Sequence, residues 1–554
     1  MQNLQEYINV TVGAYEAKIE KGTRLIDLAG RYSHVCKYPI LLAKVDNQLE
    51  ELNKKLVSDC YVEFLDITDA NGYRTYQRTT SFLMICAAKE ILGQDTRVIV
   101  EHSINKNYYC IVEKEGFILT EEIITSIEQR MWELVNKDII IERISIPTEE
   151  GIRIAVEMGL HDKEALLKYR RTANVNFYRM GWFYNYFYGK IAPSTGYLKI
   201  FKLVKSSEGF LLVFPNSSNP NVLNEIKPHD KLFKIFSESS KWAKIMSVDT
   251  VSALNDVICT QSVMNIIRVN EALHEKKISN IADTVHEKNK KVVLIAGPSS
   301  SGKTTFANRL SIQLAAGGLH PHIISLDDYY LERSFVPLDE FGQPDFEALK
   351  ALDIAQFNKD ISMLMNGEAV NLPKFNFISG KREYRRHPLT MGSDDVLVVE
   401  GIHGLNKAVG SSISDDLKFS IFISALTQLN IDDHNRIPTS DTRLIRRLVR
   451  DVRHRGVLPA TTISMWPSVA RGEAKHIFPH QERADAMFNS ALVYELCVLK
   501  TFVEPLLFGV GKDQPEFTEA RRLLKFMDSF LSISPEEVPK NSILREFIGG
   551  SSFF

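Results

Sequence analysis

The residues best suited to chemistry in this 554-residue chain form the run Gly297-Pro-Ser-Ser-Ser-Gly302-Lys303-Thr304, which matches G-x-x-x-x-G-K-[ST] without a gap. Its glycines let backbone N–H groups curl around phosphate oxygens, and the helix that follows adds its dipole and free amides. Lys303 would place a positive charge near a transferring phosphate, and the Thr304 hydroxyl is a ligand for Mg²⁺. The run therefore predicts a site for ATP and Mg²⁺, and the alternative is a glycine-rich turn that binds no ligand. The residues expected to contact the nucleotide here are Gly297, Ser299, Ser300, Ser301, Gly302, Lys303, Thr304 and Thr305.

Acidic residues follow two further apolar runs. Asp327 and Asp328 end the run HIISLDD, 24 residues after Lys303, and Glu400 ends VLVVE. Ligands gather beyond the carboxyl ends of parallel strands, so we expect these acids to face the phosphates. One aspartate would accept the proton of an acceptor hydroxyl, and Glu400 would organise Mg²⁺ directly or through water. The alternatives are an Asp-Asp pair that caps a turn and a glutamate at an exposed strand end.

An arginine-rich segment runs from Asp441 to Gly456. Arg443, Arg446 and Arg450 are spaced i, i+3 and i+7, which places them on one face of a helix. Guanidinium groups suit a phosphate whose charge spreads over three oxygens in the transition state. The alternative is an ordinary solvated basic helix.

The elements that must position these residues begin near residue 291, where strands and helices alternate and predict a doubly wound parallel sheet. The preceding sequence predicts a small β-rich unit, a mixed α+β unit and a helical connector. We expect a multidomain α/β and α+β protein, as about 150 residues per domain predicts for this length. The apolar tail LREFIGGSSFF is a candidate for docking on the parallel-sheet domain. The predicted division is 1–66, 67–255, 256–290, 291–510 and 511–554.

Composition excludes several classes of protein. The chain is 44% hydrophobic and 25% charged, with a formal net charge of -2, which excludes disordered and collagen-like chains and argues against a general binder of nucleic acid. Six scattered cysteines indicate reduced thiols rather than a disulfide framework. The N-terminus has no leader pattern, and no run is long and apolar enough to cross a membrane. We therefore expect a cytoplasmic protein that binds no membrane, and its oligomeric state stays open.

Together these residues resemble the uridine kinase / phosphoribulokinase family of P-loop kinases over about residues 290–500. The motifs occur in the family's order: GPSSSGKTT, SLDDYY (325–330), LPKFNFISGKR (372–382), VVEGIHGL (398–405) and DTRLIRRLVRDVRHRG (441–456). The resemblance implies a P-loop NTPase-type sheet, with Asp327 as the catalytic base beside the metal. It implies an acceptor pocket lined by Tyr330, Phe375, Arg382 and Arg443. It also implies a lid over the phosphates formed by Arg446, Arg450, Arg453 and Arg455, with Arg446 acting in catalysis.

Three positions depart from the uridine kinase pattern. Phe375 stands where the family has a tyrosine, Gly380 where it has a base-reading histidine, and Gly342 where it has a ribose-binding aspartate. A site without these hydrogen-bonding partners should lose affinity for a pyrimidine nucleoside. The sequence therefore predicts an ATP- and Mg²⁺-dependent kinase whose acceptor is a small molecule, with a nucleoside 5′-OH as the first candidate. The preference for ATP over GTP is open, and a non-pyrimidine acceptor is an alternative.

The N-terminal half is similar to the N-terminal region of threonyl-tRNA synthetase. Residues 1–66 resemble its TGS domain, a ubiquitin-like β-grasp, and residues 67–255 its editing domain. At the editing positions that family has two histidines, a cysteine and a histidine, whereas this chain has Arg78, Phe82, Phe187 and Ile191. The resemblance implies that the fold is kept and the hydrolytic site is lost. A second hypothesis is an ATP-binding regulatory or RNA-binding protein, in which these domains bind tRNA; the near-neutral charge disfavours it.

Overall fold

The computed structural model describes residues 6–226, 230–260, 262–340, 342, 344–376, 379–384 and 387–553. Three parts of the motifs discussed above lie outside the described residues: 1–5 of the N-terminus, 377 and 378 of the 372–382 motif, and 554 of the tail. The division of the chain at residues 66, 255, 290 and 510 stays a prediction.

The chain begins with a mixed five-stranded sheet in the order β2-β1-β5-β3-β4. Strands β1 and β5 are parallel, and the other pairs are antiparallel. Alternate side chains of β1, Ile8, Val10 and Val12, are buried, because successive residues of a strand point to opposite faces. This sheet, with one helix after its first hairpin, agrees with the expected β-grasp. Its elements are β1 (Tyr7–Val12), β2 (Tyr15–Glu20), α1 (Leu25–Arg31), β3 (Leu42–Val45), β4 (Gln48–Glu51) and β5 (Cys60–Leu65).

Two antiparallel sheets follow, in the orders β11-β12-β7-β6 and β10-β9-β8. Helix α3 begins after Thr120, whose side chain accepts a hydrogen bond from the Ile123 amide, as the sequence predicts. Helix α2 starts earlier than the predicted 81–92, because Asp69 caps it. The elements are α2 (Ala70–Leu92), β6 (Arg97–Ile104), β7 (Asn107–Glu113), α3 (Glu121–Asn136), β8 (Ile141–Pro147), α4 (Thr148–Glu157), α5 (His161–Leu167), β9 (Asn174–Met180), β10 (Phe183–Tyr186), β11 (Lys202–Ser206) and β12 (Gly209–Val213).

The aromatic stretch 177–188 belongs to the core of this region. Phe187 is 1% exposed and its ring centroid lies 5.5 Å from that of Phe82. Ile191 packs in the same apolar cluster, and Arg78 donates a hydrogen bond to the carbonyl of Lys190. The four positions that correspond to the editing residues thus hold three packed apolar side chains and an arginine bound to backbone.

Three helices lead to the second half of the chain. Helix α8 packs against the helix that follows the glycine-rich loop, where Arg309 donates to Glu271 and Glu275. The helices are α6 (Asp230–Met246), α7 (Val251–Cys259) and α8 (Val263–Glu287).

The predicted parallel sheet is confirmed. Its five strands have the order β14-β17-β13-β18-β21, and all four pairs are parallel. Every residue of β13 is buried, because helices cover both faces of such a sheet. The elements are β13 (Val292–Ala296), α9 (Lys303–Ala316), β14 (His320–Ser325), α10 (Ile354–Met365), β15 (Pro373–Asn376), β16 (Lys381–Tyr384), β17 (Asp395–Glu400), β18 (Lys418–Ser424), β19 (Asn430–Asp432), β20 (Asn435–Arg436), α11 (Thr439–Arg455), α12 (Pro459–His476), β21 (Ala486–Asn489), α13 (Glu495–Phe508), α14 (Phe517–Met527) and α15 (Arg545–Ile548).

Two ion pairs, one of them fully buried, join the two halves of the chain at the β19–β20 hairpin. Lys163 Nζ lies 2.7 Å from Asp432 Oδ1, and both side chains are fully buried. Arg97 donates two hydrogen bonds of 2.7 Å to Asp433. Removing one partner of a fully buried pair is strongly destabilising, so the pair of Lys163 and Asp432 ties the N-terminal half to the parallel-sheet half. Among the helices of the described residues, none has the length and apolar character needed to cross a membrane.

Candidate active site

The glycine-rich loop connects β13 to α9 with two residues in the left-handed region, Ser300 at φ 59° and Gly302 at φ 84°. A Cβ at Gly297 would lie 2.2 Å from the carbonyl oxygen of Ile423 on β18. The loop therefore needs glycine at 297 for close approach to the sheet and at 302 for its backbone conformation. This path brings the N-terminus of α9 to the carboxyl edge of the parallel sheet.

Lys303 is the first residue of α9, and its Nζ donates to the carbonyl of Pro298 within the loop at 3.2 Å. Thr304 and Thr305 follow in the first helical turn, whose amides have no partners within the helix. The structure thus places a cation, two hydroxyls and amides without partners inside the helix at the start of α9, which is the kind of arrangement that binds a phosphate anion.

The carboxylates at the ends of β14 and β17 meet beside this loop. Ser325 Oγ donates to Glu400 Oε1 at 2.8 Å and accepts from the Asp327 amide at 3.3 Å. Burial, and then the charge of Asp327, raise the pKa of Glu400 to about 7, while Lys303 opposes the shift. Burial also raises the pKa of Asp327, against the attraction of Lys303, Arg455 and Arg450. The structure therefore brings Lys303, Asp327 and Glu400 into one electrostatic cluster.

Asp328, the other member of the Asp-Asp pair, has a different contact. Its Oδ1 accepts a hydrogen bond from the Phe375 amide at 3.1 Å, and this bond ties the turn after β14 to the β15–β16 hairpin. The hydroxyl of Tyr330 donates to the carbonyl of Phe346 at 3.0 Å, and its ring centroid lies 5.9 Å from that of Phe375. Tyr330 and Phe375 thus form one aromatic wall near Asp327.

Arg382 supports this wall from the hairpin. Its Nε donates to the Tyr330 carbonyl at 2.8 Å, and its guanidinium also contacts the Tyr329 carbonyl and Asp353. These bonds orient the turn that carries Asp327. The expected contact of Arg382 with the acceptor stays a prediction, and its described contacts are with this turn and with Asp353.

Two arginines of α11 lie beneath the loop. Arg443 Nε donates to the Ser299 carbonyl at 2.9 Å and pairs with Glu473 of α12. Arg446 is fully buried, pairs with Glu495 of α13 at 2.5 Å and donates to the Ser300 carbonyl at 3.3 Å. A buried guanidinium needs a carboxylate partner, and these partners come from helices that local sequence does not reveal. The two side chains therefore brace the loop, which differs from the acceptor and lid positions expected for them.

The remaining arginines of α11 divide between the loop and the tail. Arg447 Nη1 donates to Ser299 Oγ at 3.2 Å, a contact that the sequence reading missed. Arg450 and Arg455 both pair with Asp451 and are near enough to Asp327 to lower its pKa. A Cβ at Gly549 would lie 2.5 Å from Arg453 Nε, so Arg453 packs against the C-terminal tail. Of the four predicted lid residues, Arg450 and Arg455 lie near the predicted base.

A family model described as "Phosphoribulokinase / Uridine kinase family" matches residues 292–495, the stretch that holds the loop, the acids and the arginine helix. This stretch is a P-loop kinase domain of that family. The family assignment predicted from the motifs is confirmed, and the acceptor is left undetermined.

Curated relatives match the N-terminal region of the chain, upstream of the kinase domain. Threonine--tRNA ligase of Clostridium kluyveri is 30% identical over 232 residues, which are 42% of this chain and 35% of the relative. Threonine--tRNA ligase of Laribacter hongkongensis is 32% identical over 166 residues, 30% of this chain and 26% of the relative. The chain spans about a third or less of the length of these relatives. The expected resemblance of the N-terminal half is confirmed.

Solved structures also resemble part of the chain. A "Possible Uridine Kinase" from Bacillus stearothermophilus is 19% identical, with a TM-score of 0.25, and covers 36% of this chain and 89% of its own. D-glycerate 3-kinase from Cryptococcus neoformans var. grubii is 16% identical, with a TM-score of 0.22, and covers 45% of this chain and 87% of its own. Scores this low carry no argument about the acceptor.

The kinase domain contains one further acid that the motifs did not single out. Glu347 follows Pro344-Asp345, and its Oε2 is buried without a hydrogen-bond partner among the described residues. Burial, with the charge of Glu473, raises its pKa to about 7, whereas Arg447 and Lys303 lower it. The signal available in the sequence was an acid two residues after the Pro-Asp pair that the family resemblance had already located.

We expect Glu347→Gln to reduce the pH dependence of stability. The folded-state pKa lies above its ordinary value of 4.5, so the folded state binds more protons. The contribution of Glu347 to the stability of the folded state is present below about pH 4.5 and is lost as pH rises through about 7. The free energy of unfolding, measured with denaturant at about pH 5, 6 and 7, should fall less steeply with rising pH in the variant than in the wild type. Equal slopes would show that Glu347 titrates normally, and exposed Glu368→Gln is the matched control.

Proposed function

We propose that this protein is an ATP- and Mg²⁺-dependent kinase that transfers the γ-phosphoryl group to a hydroxyl of a small molecule. The observation that carries this proposal is the meeting of Asp327 and Glu400, which Ser325 links at the ends of β14 and β17, with Lys303 at the start of α9. A phosphate loop alone would indicate nucleotide binding. The carboxylates beside it supply what transfer to a hydroxyl requires.

The residues of the candidate active site fit both ATP and Mg²⁺. Amides of the loop and of the first turn of α9 suit the phosphates, as does Lys303. The Thr304 hydroxyl and the carboxylates of Asp327 and Glu400 are hard oxygen donors of the kind that hold Mg²⁺, which usually takes one or two carboxylates together with substrate phosphates. No group of three or more His, Cys, Asp or Glu among the described residues forms a protein-only metal site. When bound, Mg²⁺ would neutralise charge that develops on the phosphates.

In the proposed reaction, Asp327 accepts the proton of the acceptor hydroxyl. The hydroxyl oxygen forms a bond to the γ-phosphorus as the bond from that phosphorus to the ADP oxygen breaks, and ADP leaves. Lys303 stabilises the charge on the transferring group, and Arg450 and Arg455 lie near enough to Asp327 to contribute positive charge there. The wall of Tyr330 and Phe375 would position the acceptor.

For the acceptor, a nucleoside 5′-OH is the first candidate and other hydroxyl compounds are alternatives. The pocket lacks the polar side chains that uridine kinases have at Phe375, Gly380 and Gly342. It contains instead the unpaired carboxylate oxygen of Glu347. A buried acceptor atom without a partner favours a ligand that donates a hydrogen bond there, so we expect the substrate to carry a donor beyond the reacting hydroxyl.

An acceptor screen tests the proposed function. Purified protein with Mg²⁺ and ATP is incubated with uridine, cytidine, purine nucleosides, ribulose 5-phosphate and polyols, and ADP release is measured against Lys303→Ala. Release with a pyrimidine nucleoside would support the uridine kinase assignment, and release with another compound would reassign the substrate. If the whole panel gives no release while ATP binds, the alternative of an ATP-binding regulatory protein is favoured.

A second function is favoured by the similarity of the N-terminal half to Threonine--tRNA ligase. Under that reading, the first half binds tRNA and the kinase domain acts as an ATP-dependent switch. Filter binding of tRNA across a salt series separates the two, because contacts to phosphates make binding fall steeply with salt. Weak binding without a steep dependence would favour the small-molecule kinase.

A further inference from the structure

The C-terminal residues 539–553, here termed the C-terminal strap, lie directly on the phosphate-binding loop. A Cβ at Gly302 would lie 2.5 Å from Cγ2 of Ile543, so the strap packs against the loop backbone. Glu546 Oε2 accepts hydrogen bonds from the Thr305 amide at 3.2 Å and from the Thr305 hydroxyl at 2.8 Å. The strap thus places a carboxylate at the N-terminus of α9.

The Glu546 carboxylate lies at the N-terminus of α9, where a nucleotide phosphate would be expected to bind. The Thr305 amide belongs to the first turn of α9, whose N–H groups have no partner within the helix and bind anions. Glu546 also lies near enough to Glu400 to contribute to its raised pKa. A phosphate and the Glu546 carboxylate would compete for the same donors, and their like charges would repel.

The strap is held by packing as well as by this one acid. Ile543, Leu544 and Phe547 are buried. The guanidinium carbon of Arg446 lies 5.0 Å from the centroid of the Phe547 ring, which places the strap against the arginine that braces the loop. Because apolar side chains hold the strap in register, Glu546 is presented to Thr305 in a defined position.

The segment before the strap has its own anchors. In α14, Thr518 Oγ1 donates to the Asn47 carbonyl of the first sheet, and Glu519 pairs with Arg74 of α2 at 3.2 Å. Arg522 makes two hydrogen bonds to Asp441 of α11. None of these contacts involves the strap, so α14 is anchored independently of the contact between Glu546 and Thr305.

We propose that the C-terminal strap is an autoinhibitory segment that competes with the phosphates of ATP for the N-terminus of α9. The inference rests on the proposed nucleotide-binding function of the loop. In the closed state Glu546 caps α9, and in the open state the phosphates take its place. The apparent affinity for ATP is then the affinity of the open state multiplied by the fraction of molecules that are open.

The test compares the full-length wild type with Glu546→Ala and with the control Glu537→Ala. Glu537 is an exposed glutamate of the same C-terminal segment that does not contact the loop. Equilibrium binding of a fluorescent ATP analogue with Mg²⁺ is the readout. We expect Glu546→Ala to tighten binding about tenfold or more, as removal of a largely closed state predicts, and Glu537→Ala to bind like the wild type. Glu546→Gln should give a smaller gain, because its amide oxygen still accepts from Thr305.

Hydrogen exchange gives a second measurement on the unmodified protein. ATP with Mg²⁺ should increase amide exchange in residues 543–549, since those residues leave the loop on binding. Unchanged exchange together with equal affinity in Glu546→Ala would overturn the inference and leave the proposed function intact. Weaker binding in Glu546→Ala would also overturn it, because Glu546 would then help to hold the nucleotide. If neither protein binds ATP, the proposed function fails as well.

Discussion

Replacing Asp327 by asparagine is expected to lower kcat by about 10²–10⁴-fold, the usual contribution of a positioned general base. The amide has nearly the same shape but accepts no proton. Nucleotide affinity should change little, because Lys303 and the amides of the loop remain. Steady-state kinetics with the acceptor found in the screen, together with ATP binding, measure the two effects separately.

Asp328→Asn is the matched control for this prediction. Its side-chain oxygen still accepts from the Phe375 amide, so the β15–β16 hairpin should keep its place. We expect its effect on kcat to be far smaller than that of Asp327→Asn. If Asp327→Asn turns over at nearly the wild-type rate, Asp327 is not the base.

Lys303→Ala is expected to reduce kcat/KM by at least about 10²–10³-fold, the effect of removing one preorganised charge from a developing anion. It should also weaken ATP binding, because Lys303 is the cation at the start of α9. Exposed Lys288→Ala serves as the control for loss of a positive charge. Unchanged ATP binding and turnover in Lys303→Ala would contradict the assignment of the loop.

The same substitution should move the pH dependence of any remaining activity. The charge of Lys303 lowers the pKa of Asp327, against the larger effect of burial. Without that charge the pKa rises, so the base stays protonated to a higher pH. The acidic limb of the kcat/KM profile should therefore shift to higher pH in Lys303→Ala, and a shift to lower pH would contradict the proximity of the two groups.

Several features of the kinase domain were readable from consecutive residues. The loop motif predicted a glycine-rich turn between a strand and a helix, and the apolar runs VVLIA and VLVVE predicted buried parallel strands. The general rule that ligands gather beyond the carboxyl ends of parallel strands also placed Asp327 and Glu400 at one edge of the sheet. These features depend on local backbone conformation and on hydrophobic patterning, which neighbouring residues control.

The pairing of charged groups followed from contacts between distant segments. Helical spacing put Arg443 and Arg446 on one face, and the family resemblance implied an acceptor contact for the first and a lid position for the second, whereas in the structure Glu473 and Glu495 pair with them. Spacing defines which side chains share a face. It does not define which element packs on that face, and burial then makes the nearest carboxylate the required partner.

The docking of the C-terminal tail also depends on contacts between segments that lie far apart in the sequence. Its apolar residues made the tail a candidate for docking on the kinase domain, but nothing in the sequence placed Glu546 at Thr305, 241 residues away. Short-range rules of composition and spacing were enough to predict the phosphate loop, the parallel sheet and the candidate acids. The packing of α11, α12, α13 and the strap decided which charged groups face the phosphates, because it alone determines which side chains lose water and need partners.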